Sequence, residues 1–485
     1  MAIVAERRTY VAGSWVTGDD VVSVENPADE SHVADITVTP LPEVARSIAE
    51  ARRSFDDGVW ANAAPSERAR VLHAFIDHVE SARDTLVPTL VAEAGQSTFF
   101  AEMTQLRAGA AIARQTIDLY LSMAHEEASP VPVDDLVRGR VALSIRRHEP
   151  VGVVAAITPY NAALIMGFQK LIPALMAGNS VILRPSPLTP ISSLIFGAAA
   201  DAAGLPPGVL SVVVESGIAG AELLTSDPGV DMVSFTGSTL AGRKILAQAA
   251  PTVKRVSLEL GGKSAQIYLP DAVHRAAGGA MIVVLSTAGQ ACVAATRMLV
   301  PQDKKDEVLD AVSGAYGSIK VGPPSDESAM MGPVISAAQR DKCEQYVKLA
   351  EEHGGKVFCG GGRPAGLDRG YFFEPTVLDL PSNANPAARE EIFGPIIGVL
   401  GYRDIDDAVA IANDSRYGLV GAVWSADAER AAAVAAQLLV GSVAVNSTAV
   451  LDFASPFGGF KQSGIGREGG PEGIAGFVEH QAIIR

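Results

Sequence analysis

One cysteine stands out for its surroundings. Cys292 lies within Ser286-Thr-Ala-Gly-Gln-Ala-Cys-Val-Ala-Ala-Thr-Arg297, a run of small residues between the apolar Met281–Leu285 and the strand-like Met298–Val300. Gly289 interrupts the helical period and presents Cys292 in a turn. A thiol in an open turn is accessible to an electrophile, and nearby dipoles can favour its thiolate, as a nucleophile requires. The same stretch suits a small buried hydrophobe, and taken alone it leaves both readings open. A second candidate is Glu259, in Glu259-Leu-Gly-Gly-Lys263. A carboxylate between an apolar strand and a flexible Gly-Gly turn can serve as a general base with a raised pKa, or can simply be solvated. The third is Phe235-Thr-Gly-Ser-Thr-Leu-Ala-Gly242, which leaves a strand and enters a helix. Gly237 lets backbone approach an anion, Ser238 can donate a hydrogen bond, and the helix N-terminus favours negative charge. That outlines a pyrophosphate site without the G-x-G-x-x-G spacing.

Other chemistries are disfavoured. Gly262-Lys-Ser264 imitates the end of a P-loop, but Ser257 stands where the first glycine is required, and strand-like Ala265–Leu269 follows instead of a helix. The eight histidines are scattered, with no H-x-H, H-E-x-x-H or Cys/His cluster, so no metal is expected. A serine hydrolase would need a G-x-S-x-G elbow, which is missing. The net charge of −16 opposes a nucleic-acid or anionic-membrane partner. Cys292, Cys343 and Cys359 form no paired framework, which fits a reducing cytoplasm. Ala2–Ala5 is too short an apolar run for a signal peptide. Pro150–Gln169 and Ala276–Thr296 lack charge over membrane-spanning lengths, but Pro159, Asn161, Gly289 and Gln290 mark them as buried core elements. A cytoplasmic protein is expected.

The elements that must position these groups follow from periodicity. At 485 residues, two or three domains are expected. The N-terminal section reads as mainly helical. Leu41–Phe55 carries Val44, Ile48 and Ala51 at helical spacing, and Pro65 opens a stronger helix with Val71, Leu72, Phe75, Ile76 and Val79 on one face. Helical patterns continue through Leu86–Ala92 and Ala101–Leu121, and the whole section reads as scaffold. Pro- and Gly-punctuated sequence after Glu127 ends in strand-like Val141–Ile145.

From Val151 short apolar strands alternate with helices. Strands are read at Val151–Ile157, Ser180–Leu183, Val209–Val214, Val230–Phe235 and Val253–Leu258, and helices at Leu164–Met176, Ile191–Ala203, Ile218–Thr225 and Leu240–Ala249. That alternation predicts a parallel, doubly wound sheet with its ligand crevice at the strands' carboxyl ends. The loops there are Thr158–Asn161, Arg184–Pro190 and Thr236–Gly242. A second α/β region spans Ala265 to about Lys461, with helices near Val273–Thr287, Lys304–Ile319 and Ala337–His353. Ile474–Ile484 reads as an edge strand.

Taken together, the motifs resemble the NAD(P)-dependent aldehyde dehydrogenase superfamily over nearly the whole chain. The matching pieces, in order, are Ile157-Thr-Pro-Tyr-Asn161, Phe235-Thr-Gly-Ser238, Leu258-Glu-Leu-Gly-Gly-Lys263, Gly289-Gln-Ala-Cys292, Glu391-Ile-Phe-Gly-Pro395 and Pro456-Phe-Gly-Gly-Phe-Lys-Gln-Ser-Gly464. The resemblance implies an α/β fold of two doubly wound open-sheet domains, a Rossmann-like cofactor domain and a catalytic domain, plus a small β oligomerisation arm. Residues 1–126 and 150–261 would form the NAD(P)-binding domain and 262–461 the catalytic domain. The arm would comprise 127–149 and 470–485 and build a homodimer or homotetramer.

The resemblance also implies a non-acylating oxidoreductase that converts an aldehyde to a carboxylic acid. Cys292 would attack the carbonyl to give a thiohemiacetal, with Asn161 and the Cys292 N–H stabilising the oxyanion. Hydride would pass to the nicotinamide, and Glu259 would activate the water that hydrolyses the resulting thioester. Lys170 would join a proton relay. The implied cofactor residues are Ile157, Thr158, Tyr160, Arg184, Ser186, Pro187, Phe235, Gly237, Ser238, Leu260, Gly261, Glu391 and Phe393. Gly237 and Ser238 would meet the diphosphate, and Glu391 the nicotinamide ribose with Phe393 beside it.

The chain departs from the family pattern in places. Arg184-Pro-Ser-Pro187 replaces the usual Lys-Pro-x-Glu. Arg184 suits a phosphate and Pro187 removes a repelling carboxylate, so some NADP use is expected beside NAD. Tyr160 replaces the common tryptophan. The implied aldehyde tunnel comprises Ala162, Met166, Gln169, Ala291, Val293, Ala449, Leu451 and Phe457. None of these is charged, and Ala162 and Ala449 are small, so a medium-chain or aromatic apolar aldehyde is expected. Two alternatives share the motifs: a CoA-acylating semialdehyde dehydrogenase, which generally lacks the glutamate base, and a catalytically silent member acting as a binding protein.

Overall fold

The computed structural model describes residues 3–128, 133–135, 140–142, 144–285, 287–448 and 454–484. Two doubly wound sheets organise them. Five parallel strands form the middle of the first: β1 (Val153–Ile157), β2 (Ser180–Arg184), β3 (Leu210–Val212), β4 (Met232–Thr236) and β5 (Arg255–Glu259), in the spatial order β3-β2-β1-β4-β5. All five residues of β1 are buried, as a strand covered by helices on both faces must be. Helix α1 (Ala163–Ala177) joins β1 to β2, α2 (Ala219–Ser226) lies between β3 and β4, and α3 (Thr239–Ala249) lies between β4 and β5. The chain steps to one side of β1 and then to the other, so the strand order reverses between β1 and β4. A crevice opens at such a reversal, beyond the carboxyl ends of the strands. The register aligns those ends: Ile157 pairs with Arg184 and with Phe235, and Thr236 pairs with Glu259.

The edges of this sheet differ from the sequence reading. Thr9–Val11 and Ser14–Val16 extend it antiparallel beyond β3, and Gly464–Ile465 closes the other edge against β5. A separate hairpin pairs Val21–Glu25 with His32–Thr37. The N-terminal section is mainly helical as read, but four strands that the reading missed precede its helices. Thr9–Val11, Ser14–Val16 and Gly464–Ile465 are too short to show a period-2 pattern, whereas Val21–Glu25 does alternate exposed and buried residues and was missed.

The chain crosses to the second sheet between Glu259 and Ala265. This sheet comprises β6 (Ala265–Tyr268), β7 (Arg297–Pro301), β8 (Thr376–Asp379), β9 (Ile396–Tyr402), β10 (Val420–Trp424) and β11 (Ser442–Val445). They run parallel in the order β8-β9-β7-β6-β10-β11, with Lys356–Cys359 antiparallel at the β8 edge. The Pro150–Gln169 stretch resolves into β1 and part of α1. Ala276–Thr296 resolves into a ten-residue helix, Ala276–Leu285, and the cysteine loop. Among the described residues no helix is long and apolar enough to cross a membrane.

A small third sheet stands apart. Ser144–Pro150 pairs along its whole length with Val478–Ile484 and, on its other side, with Glu126–Ala128. The C-terminal strand begins at Val478 rather than Ile474, because Pro471 follows Gly470 into a short helix, Gly470–Ala475. Val133–Asp135 and Arg140–Ala142 form a further hairpin.

Candidate active site

The cysteine loop leaves helix Ala276–Leu285 and enters β7. Ala288 and Gly289 both adopt left-handed backbone, with φ of 51° and 73°. A Cβ on Gly289 would lie 2.1 Å from the carbonyl oxygen of Gly394, so only glycine lets this loop pack on the Glu391–Pro395 segment. Cys292 is half-buried and unpaired. Its thiol is pushed up to about 12 by burial first, then by the charges of Glu391 and Glu259, while the Val293 N–H opposes them. The resting thiol is therefore protonated at neutral pH, and a nucleophilic role requires a base.

Asn161 follows β1 and reaches that loop directly. Its Nδ2 donates to the Gln290 carbonyl oxygen at 2.8 Å. Gln290 is itself fixed: Nε2 donates to the Thr287 carbonyl at 3.0 Å, and Oε1 accepts from the Ile335 N–H at 3.0 Å. A carboxamide carries two N–H hydrogens. With one held by Gln290, the other can meet a developing oxyanion.

Glu259 ends β5 and is not a solvated turn residue, being 3% exposed. Neither of its oxygens has a hydrogen-bond partner among the described residues. Burial raises its pKa well above the usual value, the Glu468 charge raises it further, and Lys170 and Arg467 oppose. A Cβ on Gly458 would fall 2.7 Å from Glu259 Oε1, so that glycine makes room for the carboxylate. Lys170 lies in α1, 1% exposed, and its Nζ donates to Ser234 Oγ at 3.1 Å and to Glu468 Oε1. Glu468 escaped the sequence reading. It sits in Gly464-Ile-Gly-Arg-Glu-Gly-Gly470, which carries no periodic signal, and reaches the site through backbone pairing with Phe457.

The proposed cofactor residues gather at the carboxyl ends of β1, β2 and β4. Ile157 ends β1. Thr158 Oγ1 and Thr236 Oγ1, on either side of the switch point, are buried without a partner among the described residues. A Cβ on Gly237 would lie 2.4 Å from the Phe235 ring. Ser238 caps α3, its Oγ accepting from the Ala241 N–H at 3.2 Å and keeping its own hydrogen to donate. Two orphaned hydroxyls, a glycine whose added Cβ would strike the Phe235 ring and a serine-capped helix N-terminus fit a dinucleotide diphosphate.

Across the crevice, Glu391 Oε1 accepts from the Gly262 N–H at 2.9 Å, and a Cβ on Gly261 would lie 2.3 Å from its Oε2. Burial raises the Glu391 pKa, against the Gly262 N–H and the Lys342, Lys263 and Arg416 charges. Phe393 takes a positive φ of 65° and meets the Tyr160 ring edge-on at 6.0 Å. Leu260 is tied to the Gly464 segment through its N–H to the Ser463 carbonyl at 2.9 Å.

Arg184 is not free to wait for a phosphate. Its Nε donates to Glu215 Oε1 at 2.9 Å, and its Nη2 to the Gly217 carbonyl at 3.1 Å. Glu215 also accepts from the Gly220 and Ala221 N–H groups at the start of α2, at 2.7 and 2.9 Å. Ser186 Oγ is turned inward to the Leu188 N–H at 3.3 Å, and Pro187 is half-buried.

Among the tunnel residues, α1 is buried almost throughout, but Ala162 at its cap and Met166 and Gln169 on one face stand half-open. Ala291, Val293 and Phe457 are half-open as well. Ala449 and Leu451 lie outside the described residues, as do Ser286 of the cysteine stretch and Val131 of the arm. The N-terminal helices do more than scaffold. Gln96 Nε2 donates to the main-chain carbonyl of Asn161 at 2.7 Å, and Gln105 donates to Gln96. Gln96 in a short loop and Gln105 in a helical stretch carried no local signal that singled out either.

Known proteins carry a similar sequence and the same architecture. The Aldehyde dehydrogenase family matches residues 15–483. Geranial dehydrogenase of Castellaniella defragrans is 37% identical over 478 residues, 98% of each chain. The 3-succinoylsemialdehyde-pyridine dehydrogenase of a Pseudomonas species is 38% identical over 483 residues, 99% of this chain and 98% of that one. Among solved structures, aldehyde dehydrogenase C of Pseudomonas syringae, a cysteine-to-alanine variant complexed with NAD+ and octanal, matches with a TM-score of 0.92. It is 36% identical over 98% of this chain and 96% of that one. Betaine aldehyde dehydrogenase of Staphylococcus aureus in complex with NAD+ matches with a TM-score of 0.94 at 32% identity, over 99% of this chain and 95% of that one.

Proposed function

The chain belongs to the aldehyde dehydrogenase family and is an NAD-linked oxidoreductase, and we propose that Cys292, Asn161 and Glu259 oxidise an apolar aldehyde to its carboxylic acid. The observation that carries this reading is Glu259, buried, raised in pKa, unpartnered at both oxygens and close enough to Cys292 for its charge to raise the thiol.

The chemistry assigns each group a step. Glu259 takes the proton of the Cys292 thiol, and the sulfur attacks the carbonyl carbon. The oxygen of the tetrahedral adduct meets the second Asn161 N–H and the Cys292 main-chain N–H; loss of one such donor costs about 3–4 kcal/mol. NAD+, when bound, accepts the hydride that this adduct releases, leaving a thioester on Cys292. Glu259 then removes a proton from water, whose oxygen attacks the thioester and frees the acid and the thiol. Lys170 and Glu468 carry the proton away from Glu259. Ile157, Thr158, Thr236, Gly237 and Ser238 would hold the diphosphate side of the cofactor. Glu391, with Gly261, Leu260, Phe393 and Tyr160, would hold the nicotinamide side.

Ala162, Met166, Gln169, Ala291, Val293 and Phe457, the described residues of the implied tunnel, are half-open and carry no charge, which favours a medium-chain or aromatic aldehyde. Relatives named for geranial or crystallised with octanal favour the same class. An absorbance assay of NADH formation across an aldehyde panel tests this, and a kcat/KM preference for a charged semialdehyde over octanal and benzaldehyde would overturn it. Glu259 disfavours the CoA-acylating alternative, which a CoA-dependent product would restore. Absence of turnover on every aldehyde would favour the silent binding protein. The paired strands Ser144–Pro150 and Val478–Ile484 suit an oligomerisation arm, and light scattering should report a homodimer or homotetramer. The division near residue 262 follows the passage from one sheet to the other, and unpaired cysteines suit the cytoplasm.

A further inference from the structure

We propose that Gln105 and Gln96 are positioning residues that hold Asn161 at the angle its oxyanion role needs; the proposal rests on the assignment of that role to Asn161. Helix α1 starts with a deficit. Its cap residue is Ala162, which has no acceptor, and no side chain from the helix itself caps it. The N–H groups of the first turn would be buried and unmatched, a costly state. Gln105 supplies the missing acceptor from another element. Its Oε1 accepts from the Leu164 N–H at 3.2 Å and the Ile165 N–H at 3.3 Å. Its Nε2 donates to Gln96 Oε1 at 2.9 Å, and Gln96 Nε2 donates in turn to the Asn161 main-chain carbonyl at 2.7 Å.

Both glutamines are buried, Gln105 completely. A buried carboxamide is tolerated only when its groups are matched, and these two are matched to each other, to the Asn161 carbonyl and to the helix start just after it. Two backbone features deliver them. Gln105 lies in Phe100–Ala108, a nine-residue π-helical stretch. Such stretches widen a helix, re-aim its side chains and recur at functional sites. Gln96 follows Gly95, which ends helix Arg83–Ala94 in a left-handed conformation with φ of 64°. A Cβ there would lie 2.7 Å from Pro333 and 2.8 Å from Pro27.

Asn161 is thus held from both sides. The N-terminal helices fix its main chain, and Gln290 of the cysteine loop fixes its carboxamide. Only a small swing of the amide remains, and misplacement by an ångström can cost about 100-fold in rate.

The test is a double-mutant cycle on the full enzyme with octanal and NAD+. Gln96→Met keeps volume and removes both hydrogen bonds. It is expected to lower kcat/KM for aldehyde by about tenfold or more while leaving the Kd for NAD+ unchanged. If Gln96 acts through Asn161, the double variant Gln96→Met/Asn161→Ala is no slower than Asn161→Ala alone. Gln105→Glu keeps the acceptor for the Leu164 and Ile165 N–H groups, so it preserves the helix start, and it should show the same pattern more weakly. Losses that multiply in the double variant, or a Gln96→Met enzyme as fast as wild type beside a slowed Asn161→Ala, would overturn the relay. An Asn161→Ala enzyme at full speed would overturn the oxyanion assignment and the relay together.

Discussion

Lys170 Nζ donates to a carboxylate oxygen of Glu468 inside the protein, although 298 positions of sequence separate them. The pair sets the charge felt by Glu259, with Glu468 raising its pKa and Lys170 lowering it. Glu468→Gln removes the raising charge and leaves the lowering charges of Lys170 and Arg467, so the Glu259 pKa is expected to fall. Because kcat rises as Glu259 loses its proton, the ascending limb of kcat against pH should move to lower pH. A pH–rate profile measures this, and an unmoved or alkaline-shifted limb would contradict the assignment.

Glu259 also ties stability to pH. Its folded-state pKa lies above the unfolded value of 4.5, so the folded protein keeps a proton that the unfolded chain gives up. That contribution is full at acid pH and is lost as the pH rises through the folded pKa. Glu259→Gln is neutral at every pH. Its Tm should match wild type near about pH 4 and exceed it near about pH 8, as differential scanning fluorimetry can report. A variant equally shifted at both pH values would show that ionisation is not the cause.

The Arg184–Glu215 pair bears on cofactor choice. With Glu215 already accepting from Arg184 and from the start of α2, a 2′-phosphate would meet a carboxylate where it needs a cation. NAD+ is therefore expected to bind more tightly than NADP+. Glu215→Gln should improve the Kd for NADP+ relative to NAD+ by about tenfold, roughly 1.4 kcal/mol, read by titration calorimetry. An unchanged ratio would place the adenosine ribose elsewhere.

These relationships show which features local sequence can carry. β1 to β5 were legible because buried parallel strands are short continuous apolar runs between helical periods. Cys292 and Glu259 stood out as candidates because each lies beside a Gly-marked turn, but their roles, and that of Asn161, came from the ordered motifs that resemble the family. Glu468 was not legible, because its partner Lys170 lies at the other end of the chain. Gln96 and Gln105 were hidden for the same reason: their partners at Asn161, Leu164 and Ile165 are some 60 residues away. Arg184 was visible, but Glu215, which engages it, was not, so the expected readiness for phosphate missed the pairing. Three-residue strands such as Thr9–Val11 form because β3 offers an open edge, which no local period announces.

In the proposed reaction Cys292 carries the acyl group and Glu259 releases it. Mass spectrometry of the Glu259→Gln variant after long incubation with octanal and NAD+ tests this most directly: without its base the Cys292 thiol reacts only slowly, through its small thiolate fraction, but the thioester it forms is not hydrolysed. The predicted result is one octanoyl group on the peptide bearing Cys292, formed only when NAD+ is present and absent from Glu259→Gln/Cys292→Ala. Octanoylation at Cys343 or Cys359, or full turnover by Glu259→Gln with no acyl group on Cys292, would contradict it.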